Sequence, residues 1–316
     1  MRAGAPRRRA GMRGALARCA VFLAALAASA GTGADAAPEL PARASTAVSA
    51  LDDRGERVAL ARPATRVLTL APHATELVYA AGGGEAIIGT VEHSDYPPQA
   101  KALPRVGDAW ALHPERVLAL RPDLVVAWLP GPLAAVDPAL RQAGIAVFHA
   151  APTTLDGIAD DVERLSHLLG SEASGLPAAN AMRARIAALR ERYAQRSPLR
   201  VFVQAGTEPL YTLNGGHVVS DALRTCGARN VFADALAAAP MVDPESVIAT
   251  RPDALLLARD NTGADPAAPW RLLARHVPAV AENRLIVLPA DDLYRPGPRL
   301  IEATASLCEA LDALRR

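Results

Sequence analysis

The sequence predicts an α/β protein whose two lobes are joined by a single long helix. Three observations carry that prediction. Short apolar runs alternate with helical stretches through most of the chain, one alanine-, arginine- and glutamate-rich run near the middle keeps helical spacing for about 20 residues, and an eleven-residue segment recurs at an offset of 130.

The elements follow in order. Residues 1–36 carry Arg2, Arg7, Arg8, Arg9, Arg13 and Arg18, then an apolar stretch from Ala20 to Ala30, then Ala34-Asp35-Ala36. That is the layout of a secretory signal peptide cut near Ala37, and the apolar stretch is well short of the roughly 18 residues a bilayer span needs. Thr46 to Leu60 alternates around Asp52-Asp53-Arg54-Gly55, as a hairpin does. Val67 to Ala71 reads as a strand, Pro72 to Thr75 as a loop, and Glu76 to Ala81 as a helix stopped by Gly82-Gly83-Gly84. Ile87 to Val91 is a further strand, Pro114 to Leu120 a helix and Leu124 to Trp128 a buried strand, and Leu140 to Gly170 continues the alternation. Pro177 to Arg196 is the long helix. Beyond it come the strand Val201–Gln204, helices at 219–226 and 244–250, strands at 254–257 and 285–288, and a last helix at 300–314. The expected organisation is therefore a signal peptide at 1–36, an N-terminal α/β lobe at 37–172, an interlobe helix at 173–197 and a C-terminal α/β lobe at 198–316.

The repeat is the strongest internal feature. His113-Pro114-Glu115-Arg116-Val117-Leu118-Ala119-Leu120-Arg121-Pro122-Asp123 matches Asp243-Pro244-Glu245-Ser246-Val247-Ile248-Ala249-Thr250-Arg251-Pro252-Asp253 at seven of eleven positions. Each copy starts a helix with proline, follows it with a glutamate favoured by the helix dipole, and breaks at Arg-Pro-Asp into a strand. The lobes are expected to be pseudo-duplicates.

Composition narrows the function. With 51% apolar residues and a net charge of +1, the chain can build a core and gives no electrostatic reason to bind nucleic acid. Without the first 36 residues, 28 bases face 32 acids, leaving a mildly acidic body. No nucleophile elbow, His-Glu-x-x-His helix or phosphate loop occurs, Lys101 is the sole lysine, and an enzyme is disfavoured. The histidines do not cluster at metal-ligand spacings. His73 is a candidate cleft residue, because it lies at the carboxyl end of a predicted strand, where open α/β sheets place ligands. Signal-peptide removal leaves Cys226 and Cys308, expected to be bonded in an oxidising compartment, two buried free thiols being the alternative.

Several segments together carry a family resemblance: 67–81, Ser94-Asp95-Tyr96-Pro97-Pro98-Gln99-Ala100, 120–128, Val201-Phe202-Val203-Gln204 and Cys226-Gly227-Ala228-Arg229-Asn230-Val231-Phe232. The chain resembles the periplasmic cobalamin-binding proteins of bacterial ABC importers, within the helical-backbone substrate-binding proteins. The resemblance implies the class III periplasmic binding protein fold, with two Rossmann-like lobes joined by a single long backbone α-helix. It implies a monomer that holds a corrinoid between the lobes as cargo, uses no cofactor, and passes the cargo to an ABC permease dimer. Tyr96, Trp128 and Tyr211 match aromatic cleft positions of that family, Trp110 lies one position from another, and Asp291 and Arg295 match polar ones. Glu115 and Glu245 match the carboxylates that dock onto the permease, one per lobe. Ala239 and Asp292 stand where the family has tryptophans, implying a roomier, more polar pocket. Haem and ferric siderophores are the rival cargoes. Related haem carriers place a tyrosine ligand after the Val-Gly step, where this chain has Asp108, Ala109 and Trp110.

Overall fold

The structure is a computed structural model and describes residues 47–108, 111–128 and 133–316. The proposed signal peptide, Thr46 of the hairpin, and Trp110 lie outside the described residues. Val48–Leu51 (β1) and Arg57–Leu60 (β2) pair antiparallel as the alternation predicts. Asp52 Oδ1 closes their turn by accepting the N–H groups of Arg54 and Glu56, both at 2.9 Å.

Each lobe is built on a four-stranded parallel sheet. In the N-terminal lobe Val67–Thr69 (β3), Ile87–Gly89 (β4), Leu124–Ala127 (β5) and Ala146–His149 (β6) run in the order β4-β3-β5-β6. In the C-terminal lobe, Leu199–Val203 (β7) is followed by a small hairpin of Gly206–Thr207 (β8) and Leu210–Tyr211 (β9). Ala228–Asn230 (β10), Ala254–Arg259 (β11) and Leu285–Pro289 (β12) then complete the order β10-β7-β11-β12. Both sheets place their second strand outside the first and their third and fourth on the other side. The lobes share one topology, as the sequence repeat predicts. Leu124, Val125, Val126 and Ala127 are all buried, which a parallel sheet covered on both faces requires.

The repeat has a local physical cause. The helices Pro114–Ala119 and Pro244–Thr250 both end at an arginine in the left-handed region, Arg121 at φ 47° and Arg251 at φ 46°. The following proline disfavours the right-handed helical conformation there, so the helix cannot continue through the arginine. The aspartate after each proline then stitches the third strand to the first. Asp123 accepts the N–H groups of Thr65 and Arg66, both at 3.0 Å, and Asp253 accepts that of Arg200 at 2.7 Å.

Two expectations need correction. The segment Pro72–Thr75 is not a loop: the first helix runs Pro72–Ala80, because extended Ala71 precedes a proline already set for the first helical position. The long helix spans Glu172–Tyr193, 22 residues or about 33 Å, and holds inside it the Pro177 read as its start. Its early turns are fixed by packing. Gly175 lies so close to the Leu155–Leu169 helix that a Cβ there would be 2.2 Å from Ser166 Cβ.

One apolar core runs through the first helix, the long helix (Ile186, Leu189, Tyr193), β7 and the last helix, Pro298–Ala313, and so joins both lobes. Separate clusters fill the outer face of each sheet. Cys226 and Cys308 are bonded, with Cα atoms 4.7 Å apart, tying the end of the Val218–Thr225 helix to the last helix. Among the described residues, no helix is long and apolar enough to cross a membrane.

Candidate functional site

Parallel α/β sheets leave a crevice at the carboxyl ends of their strands where the strand order reverses, here beyond β3 and β5 in one lobe and β7 and β11 in the other. Trp128 follows β5 directly and is 45% exposed. It lines a hollow of about 270 Å³ together with Ala151 and Pro152 of the N-terminal lobe and Asn214, His217, Ala238 and Pro296 of the C-terminal lobe. The hollow therefore bridges the lobes, and most of its wall is apolar.

His73 lies beneath Trp128 rather than in the open cleft. It is in the first turn of the Pro72–Ala80 helix, 3% exposed, and stacks edge-on against the indole with ring centroids 5.6 Å apart at 84°. Its Nε2 is 3.0 Å from the Ala150 carbonyl, to which it donates as the neutral ring. Burial pulls its pKa down to about 4, helped by nearby Arg295 and opposed by the Ala150 hydrogen bond, so the ring is uncharged near neutrality.

A second hollow, also of about 270 Å³, opens at the carboxyl ends of β11 and β12 and is polar: Arg259, Asp260, Asp291, Asp292 and Arg299 line it. Asp291 pairs with Arg295 at 2.7 Å. Arg299 grips Glu76 in a bidentate pair, Nε to Oε2 at 3.0 Å and the terminal nitrogen to Oε1 at 2.7 Å, and also pairs with Asp292. Glu76 belongs to the N-terminal lobe and is 3% exposed, so this pair crosses between the lobes. Burial raises the Glu76 carboxyl above its ordinary range, against Arg299 and Arg295, which pull it down.

The remaining candidates are spread more widely. Tyr96 is 46% exposed, carries the Arg299 guanidinium 4.6 Å from its ring centroid, and opens on a third hollow with Ala178, Met182 and Arg185. Arg299 lines both this hollow and the polar one. Tyr211 is half-buried in the β8–β9 hairpin, close enough to Gly206 that a Cβ there would be 3.0 Å from its Cδ2. Glu115 and Glu245 are exposed in the first turns of the repeated helices, and among the described residues neither forms a salt bridge. Trp270 is structural: it is buried against Phe202 and donates Nε1–H to Gln204.

Sequence reasoning missed Glu76, Arg299 and His217. Glu76 and Arg299 are 223 residues apart and carry no local signal of their pairing. His217 had one, since Asn214-Gly215-Gly216-His217 precedes an apolar run as a turn and helix cap do. Its Nδ1 accepts the Val219 N–H at 3.2 Å, and burial lowers its pKa to about 4. Among the described residues, no group of three or more histidines, cysteines or carboxylates could hold a metal ion.

The comparisons agree with this architecture. The profile described as "Periplasmic binding protein" matches residues 67–291. The vitamin B12-binding protein of Vibrio cholerae serotype O1 is 38% identical over 249 residues, covering 79% of this chain and 90% of that one. The crystal structure of the periplasmic vitamin B12 binding protein BtuF of Vibrio cholerae superposes with a TM-score of 0.74 at 37% identity, covering 80% of this chain and 99% of that one. The apo periplasmic heme-binding protein RhuT from Roseiflexus sp. RS-1 superposes with a TM-score of 0.69 at 27% identity, covering 79% and 99%. With two lobes of one topology on a shared helical spine and a profile match across both of them, the chain belongs to the periplasmic binding protein family and has its class III fold.

Proposed function

We propose that this protein captures cobalamin or a related corrinoid between its lobes and delivers it unchanged to an ABC-type permease. The observation that carries this reading is the exposed Trp128 in a largely apolar hollow between the lobes, in a chain 38% identical to a vitamin B12-binding protein. A broad, partly apolar macrocycle gains roughly 25 cal/mol for each Å² covered by such a surface. A corrinoid exceeds that hollow, so it would lie across the mouth of the cleft, reaching past Pro296 toward the polar residues Asp291 and Arg295. Tyr96, Trp110 and Tyr211 would supply further ring contacts as the lobes settle on the cargo. His73 would act from behind, holding the Trp128 indole in place.

Residues 1–36 would direct export and be removed, leaving a periplasmic monomer with lobes at 37–172 and 198–316 around the 173–197 connector. Glu115 and Glu245 would dock onto the permease, since two equivalent carboxylates suit a partner made of two copies of one subunit. No chemistry on the cargo is needed. Titration with cyanocobalamin should quench tryptophan fluorescence at stoichiometric ratio, while hemin and ferric siderophores should not compete. Tighter binding of hemin would reassign the cargo. Glu115→Arg or Glu245→Arg should abolish transport and leave cyanocobalamin affinity intact, and a loss of affinity would overturn the docking role.

A further inference from the structure

His217 is a cleft residue with a titratable ring that neither the repeat nor the family resemblance explains. It immediately precedes the Val218–Thr225 helix in an extended conformation, and it lines the same hollow as Trp128. Its Nδ1 lies 3.2 Å from the Val219 nitrogen. A backbone N–H can only donate, so Nδ1 holds the lone pair and the neutral ring carries its proton on Nε2. Among the described residues, Nε2 has no hydrogen-bond partner. A partly buried donor at a cleft wall is satisfied by water or by an acceptor on a bound molecule.

We propose that His217 is a specificity-determining donor, offering Nε2–H to a carbonyl oxygen of an amide side chain on the cargo and not ligating the cargo's metal. The proposal rests on the cobalamin reading and deepens it. Ligation through Nε2 needs its lone pair, which would move the proton to Nδ1 and set it against the Val219 N–H. The helix cap thus selects the tautomer that donates. A corrinoid, whose rim carries amide side chains, supplies acceptors of the kind such a neutral donor suits.

The test compares the wild type with His217→Ser, whose hydroxyl can still cap the helix, using cyanocobalamin and aquocobalamin as probes. Affinity for both should fall about five- to tenfold, and the absorption spectrum of bound aquocobalamin should be the same in the two proteins. Unchanged affinity in the variant would overturn the donor role. So would an aquocobalamin spectral shift on the wild type that the variant loses, because it would mean ligation. Nitrogen NMR of the ring in the wild type needs no variant: it should report the Nε2–H tautomer, with the Nε2 resonance moving on cyanocobalamin addition, and an Nδ1–H tautomer would defeat the proposal. A wild type that binds neither corrinoid, whatever its tautomer, would instead defeat the cobalamin reading and remove the proposed acceptor with it.

Discussion

The two lobes share a sheet topology and a helix-turn-strand repeat, yet they are secured by different chemistry. The C-terminal lobe closes its last helix covalently through Cys226–Cys308. The N-terminal lobe has no cysteine after residue 36 and seats its opening hairpin on buried polar pairs. Asp52 Oδ2 pairs with His149 Nδ1 at 2.7 Å, and Arg164 is shared between Asp53 and the fully buried Asp161. The carboxyl edges of the sheets differ too, with an exposed indole on one and a set of carboxylates and guanidiniums on the other. The lobes therefore share a scaffold and differ in the segments outside the sheets and in the side chains at the sheets' carboxyl edges.

Removing the covalent tie should produce the largest effect. The double variant Cys226→Ala/Cys308→Ala should lose about 4 kcal/mol, since the bridge closes a separation of 82 residues. Urea unfolding would measure the loss, and hydrogen exchange should concentrate it in the C-terminal lobe; an even spread would erase the contrast between the lobes. Next comes the pair that joins them. Arg299→Ala strands the buried Glu76 carboxylate and should cost about 3 kcal/mol, less than a fully enclosed pair because the arginine is partly exposed.

The pH dependence should come next in size. His73 has a folded pKa of about 4 against an ordinary value of 6.5, so the unfolded chain binds the extra proton first. Its contribution is intact above pH 6.5 and lost as pH falls toward 4, amounting to about 3 kcal/mol. His73→Phe, which keeps a ring against Trp128, should flatten that part of the acid unfolding profile. The smallest effect is expected at Asp161, whose pKa is raised well above the ordinary carboxyl range by burial and by the Asp53 charge. A raised folded pKa means stability that is present at low pH and declines as pH rises through it. Asp161→Asn should therefore raise the unfolding midpoint modestly at pH 8 and leave it unchanged near pH 3.

Much of the scaffold was legible because its causes are local. Proline and the break at Arg-Pro-Asp mark each repeated helix, apolar runs mark the parallel strands, and Cys226 and Cys308 are the two cysteines beyond residue 36. Where a local cue misled, packing was responsible. Pro72 already belongs to a helix, and Pro177 is absorbed into the interlobe helix because Gly175 lets that helix lie against Ser166. At the site, only the family resemblance pointed Trp128 to the cleft, since an aromatic at a strand end is usually core, and nothing in the sequence marked the burial of His73 beneath it.

By itself, the sequence determined the duplicated α/β lobes and the connecting helix, because periodicity and turn chemistry act within a few neighbouring positions, while its motifs carried the family resemblance and its cysteine count the expectation of a disulfide. Only the tertiary structure decided that Glu76 meets Arg299, that His73 packs edge-on against Trp128 from within, and that His217 caps a helix while lining the same hollow as Trp128. Those outcomes depend on which surfaces are left dry when distant segments pack, and desolvation and hydrogen-bond geometry have no signature in residue order.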